Sequence, residues 1–395
     1  MRILALENEM TSMRGGQEIS LLDVCRGLAG KGHRITLAYV TPGDLEDEYR
    51  RICHRMVRVR TYSIDRSRTP LSLRDFLVSL WAVRGERPDV VYANQYQDSL
   101  FAAIARRLRR TPFVCHLRLP PPDVLCTQFR IGMSQTTRLI AISEQTKRDW
   151  VAFGYRPDAI DVVYNGIDLN RYIRLGDRSE RRRALGVQAD ELLVTYAGRL
   201  HPAKGVETLL EAFSLIAHKR SSRLVVAGRA AVMPAPGGGV RDYLGELRAL
   251  AERLGIARAI TWIDHQPDIA DLFSASDVTV LPSLWSEPFG RVVIESMACQ
   301  TPVVASRVGG IAEILSGEFA EWTVKPGQPA ELASRVLAIA DLAAADPRIG
   351  ERARAHVASR FPVDRMIDGV EQVLLDTVER FRMPSRTAAM ASRLH

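Results

Sequence analysis

With 395 residues, 46% of them hydrophobic, the chain is expected to form two domains of roughly 180–200 residues, each with its own core, which excludes a disordered or fibrous protein. No apolar run approaches about 18 residues and the opening MRILALENEM is too short and acidic for a signal peptide, so a cytoplasmic protein is expected. The net charge of +8 is N-terminal: residues 1–180 carry 28 Lys and Arg against 21 Asp and Glu (+7), leaving 26 against 25 (+1) for the remainder.

The first predicted element is a short apolar strand from Arg2 to Leu6. Gly15 and Gly16 then precede a helix with Ile19, Leu22, Val24 and Leu28 at core spacing. A Gly-Gly pair is an ordinary turn, but between the first strand and first helix of an α/β unit it also lets backbone amides approach a phosphate. His33 begins the second strand and reads as structural. Strands at Val57–Arg60 and Val90–Ala93 are separated by LSLRDFLVSLWAVRGERPD, a helix with Leu73, Phe76, Leu77, Leu80 and Trp81 on one apolar face. Packing of that face against the sheet is expected; insertion into a membrane is the alternative. A helix at Ser99–Arg109 leads into the strand TPFVCHLRLPPP, and His116 stands near its end, where α/β sheets place ligand-binding groups. RLIAISEQTKRDWVAFG predicts a strand and a helix capped at Ser143, and DVVYNGIDLNRY a strand and an Asn-Gly turn. The charged stretch Arg174–Arg183 reads as a linker, closing the first domain at about residue 174.

The same α/β rhythm restarts with LLVTYAGRLHPAKGVETLLEAF, where Arg199 and Lys204 flank a turn between strand and helix. A diphosphate there would take a bidentate grip from Arg and a point charge from Lys. After the strand Arg223–Gly228 comes a long Pro/Gly-rich loop, residues 229–240, expected to be flexible, and AITWIDH gives a strand ending at His265. Val278–Leu281 is a buried strand halted by Pro282; a polar loop follows, and a helix begins near Phe289 with Gly290 in its first turn. The amides of Gly290, Arg291 and Val292 lack intrahelical partners and sit at the positive end of the helix dipole, which suits a phosphate. Glu287 and Glu295 flank that position, and carboxylates suit groups with hydroxyls to donate. A sugar and a ribose joined through a diphosphate fit the arrangement. Gly309 and Gly310 precede a further helix, two long helices follow, and the tail MPSRTAAMASRLH is expected to be disordered.

The segment EPFGRVVIESMACQTPVVASRVGGIAEIL strongly resembles the donor-site segment of the retaining glycosyltransferases of family 4, whose pattern is two glutamates eight apart, Met-Ala-Cys-Gly-x-Pro-Val-Val and Gly-Gly-x-x-Glu. Gln300 stands where that family usually has glycine. Gly-Arg-x-x-x-x-Lys-Gly around Arg199 and Lys204 is similar to the family's diphosphate clamp, and Asn165–Asp168 matches its inter-domain junction. The resemblance implies a GT-B fold, two facing Rossmann-like doubly wound α/β domains with the site in the cleft. Residues 1–174 would be the acceptor side and 175–362 the nucleotide-sugar side; helix 363–382 would cross back, and 383–395 would be the tail. It implies retaining transfer of a sugar from a nucleoside diphosphate sugar to a hydroxyl of a glycan, glycolipid or lipid-linked precursor, without metal or cofactor. His116 would face the transferred sugar and act with Glu287, Arg199 and Lys204; Gly15, Gly16, His265, Phe289, Gly290, Arg291, Val292 and Glu295 would complete the donor site. The family's histidine after the strand resembling DVVYANQ is absent here, with Tyr92, Asn94 and Gln95 in its place.

Alternatives remain a nucleotide-sugar binder without turnover and a GT-B epimerase; a nicotinamide oxidoreductase is disfavoured because no G-x-G-x-x-G follows the first strand. The basic stretches YRRICHRMVRVR and IARRLRRT are either a solvated face or an attraction to anionic lipid or a phosphorylated acceptor, and no nucleic-acid motif accompanies them. A peripheral position on the inner membrane face follows from the lipid reading. Cys25, Cys53, Cys115, Cys126 and Cys299 lack C-x-x-C or metal spacing and are expected to be reduced core thiols.

Overall fold

The computed structural model describes residues 1–13, 15–174, 176–235, 238–266 and 268–383, without the side chain of Arg66. By contacts the chain divides into two units: Met1–Tyr164 together with the chain from Asp364, and Asn165–Val363.

The first unit holds a seven-stranded sheet of β1 (Arg2–Glu9), β2 (Arg34–Thr41), β3 (Arg55–Arg58), β4 (Val90–Ala93), β5 (Phe113–Leu117), β6 (Arg138–Ala141) and β7 (Ile160–Val162), in the order β3-β2-β1-β4-β5-β6-β7. Every pairing is parallel. Strands buried on both faces must be apolar throughout, and β4 and β5 are buried at every position. The order reverses between β1 and β4, so the crevice for a ligand lies at their C-terminal ends. β1 runs three residues past the apolar stretch, carrying Glu7 into the interior at that edge.

Helix Val363–Arg382 belongs to this unit from Asp364 on, and its apolar stripe explains why. Met366, Ile367, Val370, Val373, Leu374 and Val378 are buried, while Lys31 pairs with Asp368 and Glu371, and His33 Nε2 meets Glu371 at 2.6 Å. His33 therefore has a structural role, with Nδ1 also 3.0 Å from the N-terminal amine.

Helix Thr69–Ala82 departs from expectation. Phe76 and Ser79 are its buried residues, whereas Leu73, Leu77 and Trp81, expected to pack on the sheet, face solvent. The face turned inward carries Ser79, whose hydroxyl accepts from the amides of Arg60 (2.9 Å) and Thr61 (3.1 Å). A polar requirement of the backbone after β3 thus sets the helix rotation, which periodicity could not reveal.

The second unit holds a six-stranded parallel sheet of β8 (Leu192–Ala197), β9 (Ser222–Ala227), β10 (Ile260–Ile263), β11 (Val278–Leu281), β12 (Val303–Ser306) and β13 (Thr323–Val324), ordered β10-β9-β8-β11-β12-β13. Its reversal falls between β8 and β11. The loops leaving these two strands carry Arg199 with Lys204 and Glu287, respectively.

The stretch read as a linker is partly helical. Arg178–Ala184 is capped by Asp177, and Arg178 and Arg182 both pair with Asp277 beside β11. That half-buried acid turns a charged run into a docked helix. Asn165–Arg174 also belongs to this unit: Ile167 bridges to Pro362, and Arg354 donates to the carbonyls of Leu169 (2.8 Å) and Tyr172 (2.6 Å). Within the 229–240 loop, Pro236 and Gly237 lie outside the described residues, as does the tail from residue 384.

No disulfide links the five cysteines; Cys25, Cys115 and Cys299 are buried, but Cys126 is exposed and so is not a core thiol. No helix among the described residues is long and apolar enough to cross a membrane.

Candidate active site

In the second unit, β8 ends at Ala197 and the chain turns through a short 3-10 segment, Pro202–Lys204, before helix Val206–Ala217. The turn is held against the β11 loop, since Leu284 N donates to Ala203 O at 2.9 Å. Gly205 has φ 68°, and a Cβ there would overlap the carbonyl oxygen of Pro282. Arg199 is exposed, and its guanidinium has no hydrogen-bond or ion-pair partner among the described residues. Its carbonyl accepts from the Tyr196 hydroxyl at 2.9 Å, which fixes the backbone beneath it. The charges of Arg199 and Lys204, after partial burial, hold the His201 imidazole below its usual pKa.

Lys204 is not free. Its ammonium pairs with Glu287 Oε1, which also accepts from Ser283 Oγ at 2.5 Å and Trp285 Nε1 at 3.1 Å, and it lies 5.2 Å from the centre of the Trp285 ring. Three donors on one oxygen leave Oε2 with no hydrogen-bond partner among the described residues. The backbone is pinned as firmly: Gly310 N donates to Glu287 O at 2.7 Å.

Helix Arg291–Ala298 follows, with Gly290 at the N-cap in the left-handed region, φ 103°. The first described helical residues are Arg291 and Val292, so their amides, with that of Gly290, open the helix as expected. Glu295, in the second turn, is buried with the Arg291 side chain: Oε1 accepts from Arg291 Nε (3.2 Å) and from the Tyr172 hydroxyl (3.2 Å). Arg291 also donates to Gly166 O at 3.2 Å. Phe289 is buried edge-on against Phe361, ring centres 5.5 Å apart, and is a packing residue of the loop. At the end of β10, His265 is half-buried, and its amide donates to Asp264 Oδ1 at 2.7 Å, an acid that Arg229 grips twice (2.6 and 2.9 Å) and holds at a pKa of about 2.

In the first unit, Gly15 precedes the helix that starts at Gly16, and a side chain at Gly15 would meet nothing within 4 Å. His116, at the end of β5, is wholly buried. Its Nδ1 lies 2.6 Å from the Tyr92 hydroxyl, and its Nε2 has no hydrogen-bond partner among the described residues. Burial, aided by the neighbouring Arg118 charge, keeps the imidazole neutral. Around it lies a buried polar cluster that sequence reading missed. Arg118 Nε donates to Asn94 Oδ1 (2.9 Å), Asn94 Nδ2 to Glu7 Oε2 (3.2 Å), and Gln95 Nε2 to Asp98 Oδ1 (3.4 Å). Asp98 Oδ2 is buried without a hydrogen-bond partner among the described residues. The detectable signal was the polar run after β4, Asn94 to Asp98, at the strand end beside the sheet's reversal; Glu7 gave none, because it sits inside a strand.

Burial pushes the Asp98 carboxyl up to about 7, and burial together with the charges of Glu18 and Asp98 raises Glu7 well above the usual range. A raised acid pKa costs nothing while both folded and unfolded forms are protonated; the penalty grows from about pH 4 and levels off above about 7. Asp98→Asn, which keeps the acceptor for Gln95, is therefore expected to stabilise the protein at pH 8 by up to about 4 kcal/mol relative to its effect at pH 4. Chemical denaturation at the two pH values checks this, and an equal effect at both would refute the buried charge.

Among the described residues no group of three or more His, Cys, Asp or Glu is placed to hold a metal ion.

Residues 177–356 match the family model "Glycosyl transferases group 1" and residues 14–171 match "Glycosyltransferase Family 4". The chain is similar to a D-inositol 3-phosphate glycosyltransferase of Catenulispora acidiphila, 36% identical over 56% of this chain and 52% of that protein. It thus spans about half the length of that curated relative. An uncharacterized glycosyltransferase of Methanocaldococcus jannaschii is 28% identical over 81% of this chain and 83% of its own. Among solved structures, Anabaena HepE in complex with UDP-glucose superposes with a TM-score of 0.81 at 26% identity, covering 95% of this chain and 100% of that one.

Proposed function

The chain belongs to the group 1 glycosyltransferases, of GT-B fold, and from that premise we propose that it transfers a sugar from a nucleoside diphosphate sugar to an acceptor hydroxyl with retention of configuration and without a metal ion. A uridine diphosphate donor is favoured by the likeness to HepE, which was crystallised with UDP and with UDP-glucose. The acceptor is a glycan or a lipid-linked precursor, and the enzyme works in the cytoplasm at the inner membrane face.

The observation that carries this reading is the unpaired guanidinium of Arg199 in the loop at the reversal of the second sheet, the loop whose Lys204 holds Glu287, a carboxylate with one oxygen uncommitted among the described residues. As the sugar leaves, negative charge grows on the diphosphate. Arg199, Lys204 and the amides of Gly290, Arg291 and Val292 would stabilise it, and preorganised donors of this kind contribute several kcal/mol. Those cations and the helix dipole fill the part a divalent ion plays elsewhere. Glu287 Oε2 would accept from a sugar hydroxyl and Glu295 from the ribose, while Lys204, Ser283 and Trp285 hold Glu287 in one orientation. His116 Nε2 would meet the transferred sugar. Being neutral, it positions the sugar and does not bond to carbon, and HLRLPPP offers no carboxylate nucleophile before Asp123. The acceptor then enters on the face the diphosphate leaves, its proton passing to the leaving group.

The two glutamates separate in a binding test. Glu295→Gln is expected to weaken free UDP, whereas Glu287→Gln spares UDP and weakens the complete donor sugar by about tenfold, the loss of one charged hydrogen bond. Titration of both variants with UDP and UDP-glucose checks this; if neither variant alters donor affinity, the assignment fails.

A further inference from the structure

Helix Thr69–Ala82 presents an apolar surface that none of the described residues of its own unit covers. Leu71 (57% exposed), Leu77 (56%) and Trp81 (63%), with Leu73 and Val78, face solvent from one side, while Phe76 and Ser79 face inward. Positions 73, 77 and 81 recur every four residues and so form one continuous stripe, and at 1.5 Å per residue the helix is about 21 Å long. Its C-terminal end continues the surface: exposed Leu108 lines a small cavity with Leu80, Val83 and Arg109. A stripe this size is more than scattered surface hydrophobics.

The charges around it all lean one way. Residues 55–87 contain eight arginines against three acids, or +5, and residues 104–112 add four arginines and no acid. Each acid is already answered: Asp75 pairs with Arg60 (2.6 Å) and Arg74 (3.2 Å), Glu86 with Arg55 (2.8 Å), and Asp65 caps the turn before the helix. Arg58, Arg84, Arg87, Arg107 and Arg110 are exposed with no carboxylate at ion-pair distance among the described residues. Arg84 stacks on Trp81, its guanidinium carbon 3.3 Å from the ring centre. By contrast Arg50, in the basic stretch singled out from sequence, pairs with Glu46, and Arg51 with Glu48. Arg84 thus lies on the helix's own stripe, Arg58 and Arg87 flank the helix in sequence, and Arg107 and Arg110 lie on and just after helix Ser99–Arg109, which packs against it.

We infer that helix Thr69–Ala82 is a membrane-docking element that lies in the interface of an anionic bilayer, with Leu73, Leu77 and Trp81 in the acyl boundary and Arg58, Arg84, Arg87, Arg107 and Arg110 against the phosphates. Leucine and tryptophan on one face with an arginine collar is the chemistry of interfacial helices, and Trp with Arg suits the level where hydrocarbon meets headgroup. A second copy of the chain is the competing occupant. An isologous contact would bring the same arginines face to face, with no acids left to answer them. A bilayer rich in phosphate diesters answers both the apolar stripe and the surplus charge. The inference extends the membrane position proposed above by naming the element and by requiring apolar insertion in addition to charge; it does not depend on the sugar-transfer chemistry.

The test uses the full chain with vesicles of phosphatidylcholine alone or mixed with phosphatidylglycerol. Wild type is expected to sediment with the mixed vesicles and not with phosphatidylcholine. Leu73→Gln/Leu77→Gln/Trp81→Gln, all at exposed positions, is expected to lose about tenfold or more of that binding. Arg84→Glu/Arg107→Glu should lose it as well, and added salt should weaken wild-type binding. Both variants should keep wild-type UDP-glucose affinity in solution, so a failure here is distinguishable from failure of the glycosyltransferase reading. Undiminished binding by the triple Gln variant would overturn insertion and leave charge alone. Concentration-dependent self-association of wild type, abolished in that variant, would assign the stripe to a second copy instead.

Discussion

Replacing Arg199 by alanine is expected to slow UDP release from UDP-glucose by about 10²-fold or more, the cost of losing one preorganised donor to the leaving group. The melting temperature should hardly move. The side chain is exposed and its guanidinium makes no ion pair among the described residues, so nothing inside the protein is lost with it. Lys204→Ala should differ in kind. It removes one of three donors from Glu287 Oε1 and leaves a largely buried carboxylate uncompensated, so activity and stability fall together. Two clamp residues of equal appearance in sequence thus separate by their thermal behaviour. Parallel melting and activity curves of the two variants check this; equal melting temperatures in both would remove the Lys204–Glu287 pair from the account.

A second large effect is expected at a residue that has no side chain. Gly309 has φ 55°, and a Cβ there would overlap the carbonyl oxygen of Glu287. The left-handed backbone alone disfavours alanine by about 1–2 kcal/mol, and the overlap with main chain cannot be relieved by a side-chain rotation. The next residue, Gly310, donates its amide to that same carbonyl at 2.7 Å, so any relief moves Glu287 itself. Gly309→Ala is therefore expected to cost about 2 kcal/mol or more in denaturant unfolding and to reduce activity beyond what the stability loss explains. Wild-type donor affinity in a folded Gly309→Ala protein would show that the position of Glu287 is not held from this side.

The comparison of sequence with structure is instructive where it fails. Most strands and the longer helices followed from apolar periodicity, whereas helices Glu46–Ile52, Thr127–Met133 and Tyr243–Arg253 did not, and the Arg199–Lys204 and Glu287–Glu295 spacings fall on the segments that leave β8 and β11. What those spacings could not convey is pairing. Lys204 answers Glu287 and Arg291 answers Glu295, contacts made across the fold and across a helical turn, so the number of free cations was legible only in three dimensions. Trp285, Ser283 and Tyr172, which complete these pairs, carry no motif of their own. The same limit explains helix Thr69–Ala82: its period was plain, but which side meets the sheet is set by Ser79 receiving two amides from the chain just after β3. The stretch Arg174–Arg183 read as a linker because its partner, Asp277, lies about a hundred residues away in sequence.

The central claim is that a nucleoside diphosphate sugar is held by the second unit through Arg199 and a helix N-terminus, with no metal between. Calorimetric titration of UDP-glucose into wild type and Arg199→Ala, each in excess EDTA, tests it most directly. The account predicts one site per chain in wild type, undiminished by EDTA, and an affinity at least about tenfold weaker in Arg199→Ala; binding that vanishes in EDTA, or an Arg199→Ala protein that binds as tightly as wild type, would contradict it.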